Sequence, residues 1–180
     1  MKIIVAGSRN WDWYAVYKKT MLSVVSELQY KFVVPTRCID MVYSSNYGVD
    51  VMTKRFCEEY NLKQSVFTVD WSNMTQGKVL AGVTKGGAPY NRMAGVNSYL
   101  DMVKYANTFD ENANSFKKSA NTLKVPILVT FKDEPDKLVK NLIDKFIKDK
   151  NPVYEFSIQY GVQLKLKTHN HTSVLQGMYK

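Results

Sequence analysis

Short apolar runs and longer amphipathic stretches alternate along this chain, with polar turns between them. Lys2 to Ala6 is an apolar, β-branched run with no turn chemistry inside it, the pattern of a strand buried on both faces. Gly7 to Trp13 is a tight polar turn. Tyr14 to Tyr30 then carries an approximate helical stripe of Val16, Met21, Leu22, Val25 and Leu28. Lys31 to Thr36 is a connector or short strand that ends at Pro35. Ile39 to Tyr43 is a second apolar run, followed by the turn Ser44-Ser45-Asn46-Tyr47-Gly48. Val49 to Tyr60 reads as a helix whose inner face holds Val51, Met52, Phe56 and Cys57.

Ser65 to Val69 predicts a third strand, closed by Asp70-Trp71. Ser72 to Pro89 reads as a long polar loop containing Gly77, Gly82, Gly86, Gly87 and Pro89, and such loops are usually functional. Pro89 suits the first turn of the next helix, which runs through Met93, Val96, Leu100, Met102 and Val103. Asp110 to Asn114 breaks the pattern and Ser115 to Leu123 predicts a short helix. Val125 to Phe131 predicts a strong strand, with Pro126 near its start. Asp133 then caps an amphipathic helix with Leu138, Val139, Leu142, Ile143, Phe146 and Ile147 inward. Val153 to Gln159 and Val162 to Thr168 alternate on either side of Tyr160-Gly161, the pattern of a β-hairpin at the sheet edge or in a flap.

Strands alternating with helices predict an α/β, Rossmann-like fold: a mostly parallel sheet with helices on both faces and an added C-terminal β-hairpin. The expected organisation is one domain over residues 1–150 with the hairpin of residues 151–180 packed on it. Sheets of this kind bind ligands at the carboxyl ends of their strands. The Gly7–Trp13 turn, the Ser44–Asp50 turn and the Asp70–Arg92 loop all fall there and are expected to line one cleft.

At 180 residues the chain is long enough for a core, and 45% hydrophobic with 23% charged residues is ordinary for a globular protein. No apolar run approaches membrane-spanning length, and the first residues read as a strand rather than a signal peptide. Cys38 and Cys57 are too few for a disulfide framework, so a cytoplasmic location is expected. A net charge of +9 permits a nucleic acid, an anionic small molecule or an acidic protein as partner. The excess is mostly lysine, much of it after residue 116, where solvated helix faces are the plainer explanation. Nucleic acid is therefore the less favoured partner.

The turn after the first strand has the chemistry of an anion site. Gly7 permits a sharp bend, Ser8 supplies a hydroxyl, Arg9 a bidentate donor, and Asn10 or Asp12 is placed to cap the following helix. The plainer reading is an ordinary strand-to-helix turn with Arg9 in solvent. Asp50 starts a helix, where it either braces the preceding turn or reaches a ribose. Trp11, Trp13, Trp71 and Tyr90 are candidates to stack on a base, with Trp11 and Tyr90 the better placed and Trp71 better suited to the core. His169 and His171 would share one face of a strand, but no Cys or carboxylate lies close in sequence; no metal site and no cofactor is expected.

Four segments occur in a telling order between Gly7 and Met93. They are Gly7-Ser8-Arg9-Asn10-Trp11, Gly48-Val49-Asp50, Asp70-Trp71 and Gly87-Ala88-Pro89-Tyr90-Asn91-Arg92-Met93. In this order they resemble the small bacterial and phage branch of the SLOG superfamily. That superfamily is Rossmann-like and includes Lonely Guy-type nucleotide phosphoribohydrolases, a DNA-uptake protein, and sensor domains for NAD-derived or nucleotide signals in antiviral systems. The resemblance implies a strand-end site built from Gly7, Ser8, Arg9, Trp11, Ser44, Ser45, Gly48, Asp50, Gly87, Pro89, Tyr90, Asn91 and Arg92. Arg9 and Arg92 would meet phosphates, backbone amides near Gly7 and Gly87 would assist, and an aromatic ring would meet the base.

The chain also departs from that pattern. Ser44-Ser45-Asn46-Tyr47 stands where relatives carry a Gly-Gly-Ala-Arg-like turn, and Asn91-Arg92 replaces an Arg-Asn pair. Ala106 to Ser115 has no glycine where a Gly-Thr phosphate loop is expected, and the Pro-Gly-Gly-x-Gly-Thr-x-x-Glu motif of the phosphoribohydrolases is absent. These losses bear on hydrolysis more than on binding. The expectation is a homo-oligomeric protein that senses or sequesters a nucleotide-derived signal without catalysis. One alternative is a nucleotide N-glycosidase using Asp50 or Asp70. Another is an interaction protein whose basic surface grips an acidic protein or nucleic acid.

Overall fold

The computed structural model describes residues 1–108, 126–132, 137–159 and 163–178. The elements are β1 (Lys2–Gly7), α1 (Tyr14–Phe32), β2 (Asp40–Ser44), α2 (Val49–Glu59), β3 (Lys63–Phe67), β4 (Ala81–Val83), β5 (Pro89–Asn91), α3 (Ala94–Ala106), β6 (Ile127–Lys132), α4 (Lys137–Lys148), β7 (Val153–Gln159) and β8 (Gln163–His169). Short 3₁₀ turns occupy Thr36–Cys38 and Val174–Gly177.

Six strands form one sheet in the order β3-β2-β1-β6-β7-β8, and among the described residues β4 and β5 pair with each other as a separate two-stranded sheet. All neighbours in the large sheet are parallel except β7 and β8. The chain builds outward from β1 to β2 and β3, then returns to the other side of β1 through β6. This is the reversal of a Rossmann-like sheet, and it puts the topological switch at the carboxyl ends of β1 and β6. Ile3, Ile4, Val5 and Ala6 are fully buried, because β1 is central and covered on both faces.

Alternation along the strands divides the core in two. Ile3, Val5, Met41, Tyr43, Val129 and Phe131 meet Tyr17, Met21 and Val24 of α1 and Met52 and Phe56 of α2. Ile4, Ala6, Val42 and Leu128 meet Met102 and Val103 of α3 and Val139, Leu142, Ile143 and Phe146 of α4. Helices therefore cover both faces, as the pattern predicts.

Some local expectations change. Val51 is 54% exposed, because the inner face of α2 is set by Val49, Met52, Thr53, Phe56 and Cys57. Neither Asn10 nor Asp12 caps α1: Trp13 holds the N-cap position, with no side-chain bond. Pro89 does not begin a helix. It opens β5, and α3 starts at Ala94. The expected loop of residues 72–89 thus contains a β-hairpin. Residues 110–123, Asp133 and the Tyr160-Gly161 turn lie outside the described residues.

The C-terminal hairpin is continuous with the sheet, since β7 pairs in parallel with β6 and carries β8 on its far side. Tyr154, Phe156, Leu166 and Leu175 join the α1-side core. Ser173 Oγ donates to Glu27 Oε2 at 2.6 Å, and Asn170 Nδ2 donates to the Ile147 and Asn151 carbonyls. These bonds tie the last segment to α1 and to the end of α4.

Candidate functional site

Two glycines draw the β1–α1 turn, the β2–α2 turn and the end of β6 together at the carboxyl end of β1. A Cβ on Gly7 would collide with the Phe131 carbonyl oxygen of β6 and the Val49 side chain of α2. Gly48 has a φ of +64°, and a Cβ there would strike the Ser8 and Arg9 backbone. Ser8 N donates to Phe131 O at 2.9 Å, and Val49 N donates to Ser8 O at 3.3 Å. This corrects the expected roles of Gly7 and Gly48. The space they leave is filled by the chain itself, and the amides of Ser8 and Val49 are already bonded. Ser8 is buried, with its hydroxyl accepting from Asn10 N at 3.4 Å.

Asp50 braces the second turn. Ser44 Oγ donates to Asp50 Oδ2 at 2.5 Å, Asn46 N donates to the same oxygen at 3.2 Å, and Asn46 Nδ2 donates to Ser44 Oγ at 2.9 Å. Asp50 is only 4% exposed. Burial pushes its carboxyl up to about 7, against the opposing pull of the Ser44 and Asn46 bonds and the Arg9 charge. Its second oxygen, Oδ1, is buried and has no hydrogen-bond partner among the described residues.

Above this closed floor lies an accessible rim. Arg9 is exposed and its guanidinium carbon lies 5.4 Å from the centroid of the Trp71 ring. Trp71 is half-buried, not a core residue, and faces Arg9 from the loop after β3. Ser45 and Tyr47 are exposed on the β2–α2 turn. Trp11 leaves the stacking set: it is 3% exposed and meets Phe131 edge-on at 5.4 Å in the core. Trp71, better suited to the core by sequence, is instead on the rim, and Tyr47 joins it although the sequence marks only the turn that carries it. For Trp71, adjacency to Asp70 at the end of a strand was the available signal.

The third segment is organised by Asn91, which is 1% exposed. Its Nδ2 donates to the Asn73 and Lys78 carbonyls, its Oδ1 accepts from Leu80 N and Met93 N, and its own N donates to Trp71 O at 2.7 Å. Every polar atom of this side chain is thus engaged in holding the β4–β5 hairpin, which corrects its reading as a ligand contact. Gly87 sits at the hairpin tip with a φ of +83°, and its N donates to Thr84 O at 3.0 Å, so that amide is also committed. Pro89 is exposed on β5, Tyr90 packs half-buried over Gly82, and Arg92 is exposed. Asp70 is exposed and accepts from Ser72 N and Ser72 Oγ in a local turn, which holds its carboxyl below the usual range.

The histidines diverge. His169 Nε2 lies 3.0 Å from Glu155 Oε2. His171 lies beyond β8, with its ring against Tyr154 at 4.3 Å. Among the described residues no group of three or more His, Cys, Asp or Glu is placed to hold a metal ion. None of the helices described is long and apolar enough to cross a membrane.

The strand order and the helices on both faces make this chain a Rossmann-like α/β protein. No protein-family model, curated protein or solved structure matches the chain.

Proposed function

We propose that this chain binds a nucleotide-derived small molecule, an NAD-derived or cyclic-nucleotide-like signal, at the carboxyl ends of β1, β2 and β3, and holds it without cleaving it. The observation that carries this reading is Arg9 over Trp71. A guanidinium lying over an aromatic ring keeps its in-plane N–H donors open for a phosphate, and the ring edge offers apolar surface to a base or sugar. Since the nearby amides of Ser8, Val49 and Gly87 are bonded internally, side chains carry the recognition. Binding without turnover is favoured because Asp50 Oδ2 braces the Ser44–Gly48 turn and Asp70 closes its own turn.

A second reading is a nucleotide N-glycosidase. Burial that pushes the Asp50 carboxyl up to about 7 favours it, as a general acid or base works best with a pKa near the operating pH, and the unpartnered Oδ1 is the oxygen that would serve. The two readings separate when the protein is incubated with NAD, ADP-ribose, cyclic ADP-ribose isomers, cyclic dinucleotides or nucleoside monophosphates and the bound material is recovered for chromatography. Intact recovery supports the binder. Release of a free base, abolished in Asp50→Asn with binding retained, would replace it with the enzyme.

A further inference from the structure

We propose that the α4 side of strands β6, β7 and β8 binds the phosphate backbone of double-stranded nucleic acid. The register builds this surface. Lys132 pairs with Ser157 and Ser157 with Lys165, forming one row across three strands. Thr130, Glu155 and Lys167 form the next row, and Leu128, Val153 and His169 the one after. Leu128 and Val153 lie in the core under α4, so the residues two and four positions along each strand share that side.

Lys165 and Lys167 are exposed, and neither makes an ion pair among the described residues. They stand about 7 Å apart along β8, with Lys132 about 10 Å across the sheet from Lys165. Glu155 is the one carboxylate in the grid and it is already neutralised. Lys132 Nζ bonds its Oε1, and His169 Nε2 lies 3.0 Å from its Oε2. Burial alone would raise the Glu155 carboxyl, but these two bonds outweigh it and hold the group below its usual range. Helix α4, which packs on β6 and β7, exposes Lys137, Lys140 and Lys148 together with Asp144, and its Lys145 is paired with Asp149, so it adds a smaller net positive charge.

The chemistry favours a duplex over other polyanions. Thr130 is fully buried and Lys132 is held by Glu155, so the accessible donors of the grid are the Lys165 and Lys167 ammonium groups with the half-buried Ser157 hydroxyl beside them, and among the described residues the grid holds no Trp, Tyr or Phe. Single-strand sites stack bases on such rings, and protein partners centre on buried aromatic or apolar anchors. A pair of exposed ammonium groups about 7 Å apart on one strand, without aromatic neighbours, instead suits successive phosphates read without sequence. This surface uses no residue of the strand-end rim, so it stands or falls separately from the small-molecule reading.

The test is fluorescence anisotropy of a short labelled DNA duplex with the full chain across a salt series. Lys165→Gln with Lys167→Gln is compared with Lys19→Gln and Lys54→Gln, which removes equal charge from α1 and α2 on the opposite side. Circular dichroism checks that both pairs fold. Each phosphate contact contributes about 0.9 to the log–log salt slope, so the first pair should lower its magnitude by about 2 and the second should leave it unchanged. Equal effects from both pairs, no duplex binding at low salt, tighter binding of single strands, or equal competition by polyglutamate would each overturn the proposal.

Discussion

Arg9 lies over Trp71, with the guanidinium carbon 5.4 Å from the ring centroid, joining the turn after the first strand to the loop after the third. Residues far apart in sequence thereby form one accessible edge above a floor closed by the protein's own backbone. The turn beneath them depends on Gly48 and is braced by Asp50, and the loop that carries Trp71 is held by Asn91.

Gly48→Ala should destabilise the fold by about 2 to 3 kcal/mol, since the methyl meets the Ser8 carbonyl and the Arg9 backbone at a left-handed φ. Gly87→Ala has a similar φ but open space, so it should lose only about 1 kcal/mol. Urea denaturation of the two variants separates backbone strain from collision; equal losses would show that the packing of Gly48 on Ser8 contributes nothing.

Asn91→Ala should destabilise by about 2 kcal/mol, because it removes the partner of two partly buried amides and two carbonyls at once. Hydrogen exchange should accelerate at Leu80 and Met93 while the β1 amides keep their protection. Unchanged exchange at Leu80 would remove Asn91 from its role as the anchor of the hairpin.

Asp50 gives the chain a pH signature. Its folded carboxyl is raised from 3.8 to about 7, so the folded state holds a proton that the unfolded state releases. The stability this contributes is fully present below about pH 4 and is lost as pH rises to about 7, at on the order of 1.4 kcal/mol per pH unit. Glu59, lowered to about 2 by its bonds to Lys18 and Arg55, acts in the opposite direction and at lower pH. The difference between wild type and Asp50→Asn in denaturation midpoint isolates the Asp50 contribution: it should change across pH 4 to 7. A constant difference would mean that Asp50 is ionised throughout.

Much of this fold is legible in the sequence, and the reasons are local. β1 and β6 are largely apolar runs because both faces are covered, β2 keeps Met41, Val42 and Tyr43 between the buried Asp40 and Ser44, and α4 shows its inner face because the other meets water. The β4–β5 hairpin escapes notice, since its strands are three residues each and largely exposed. β7 alternates as an edge strand would, although β6 and β8 flank it, because Glu155 and Ser157 stay partly accessible on the α4 side. In the site, residue type announces that Gly7 and Gly48 admit a close approach. It does not say that the approaching atoms are Phe131 O and Ser8 O rather than a ligand's. Nor does it show Asn91 turned fully inward, since that role depends on carbonyls at Asn73 and Lys78.

The measurement that tests the central claim most directly is a thermal-shift titration of wild type, Arg9→Ala and Arg9→Lys against the same nucleotide panel. A ligand at a hundred times its dissociation constant stabilises the fold by about 2.7 kcal/mol. The account predicts that at least one nucleotide does so in wild type. The shift should vanish in Arg9→Ala and be sharply reduced in Arg9→Lys, because lysine keeps the charge but loses the planar fork over Trp71. No shift across the panel, or equal shifts in all three proteins, would contradict it.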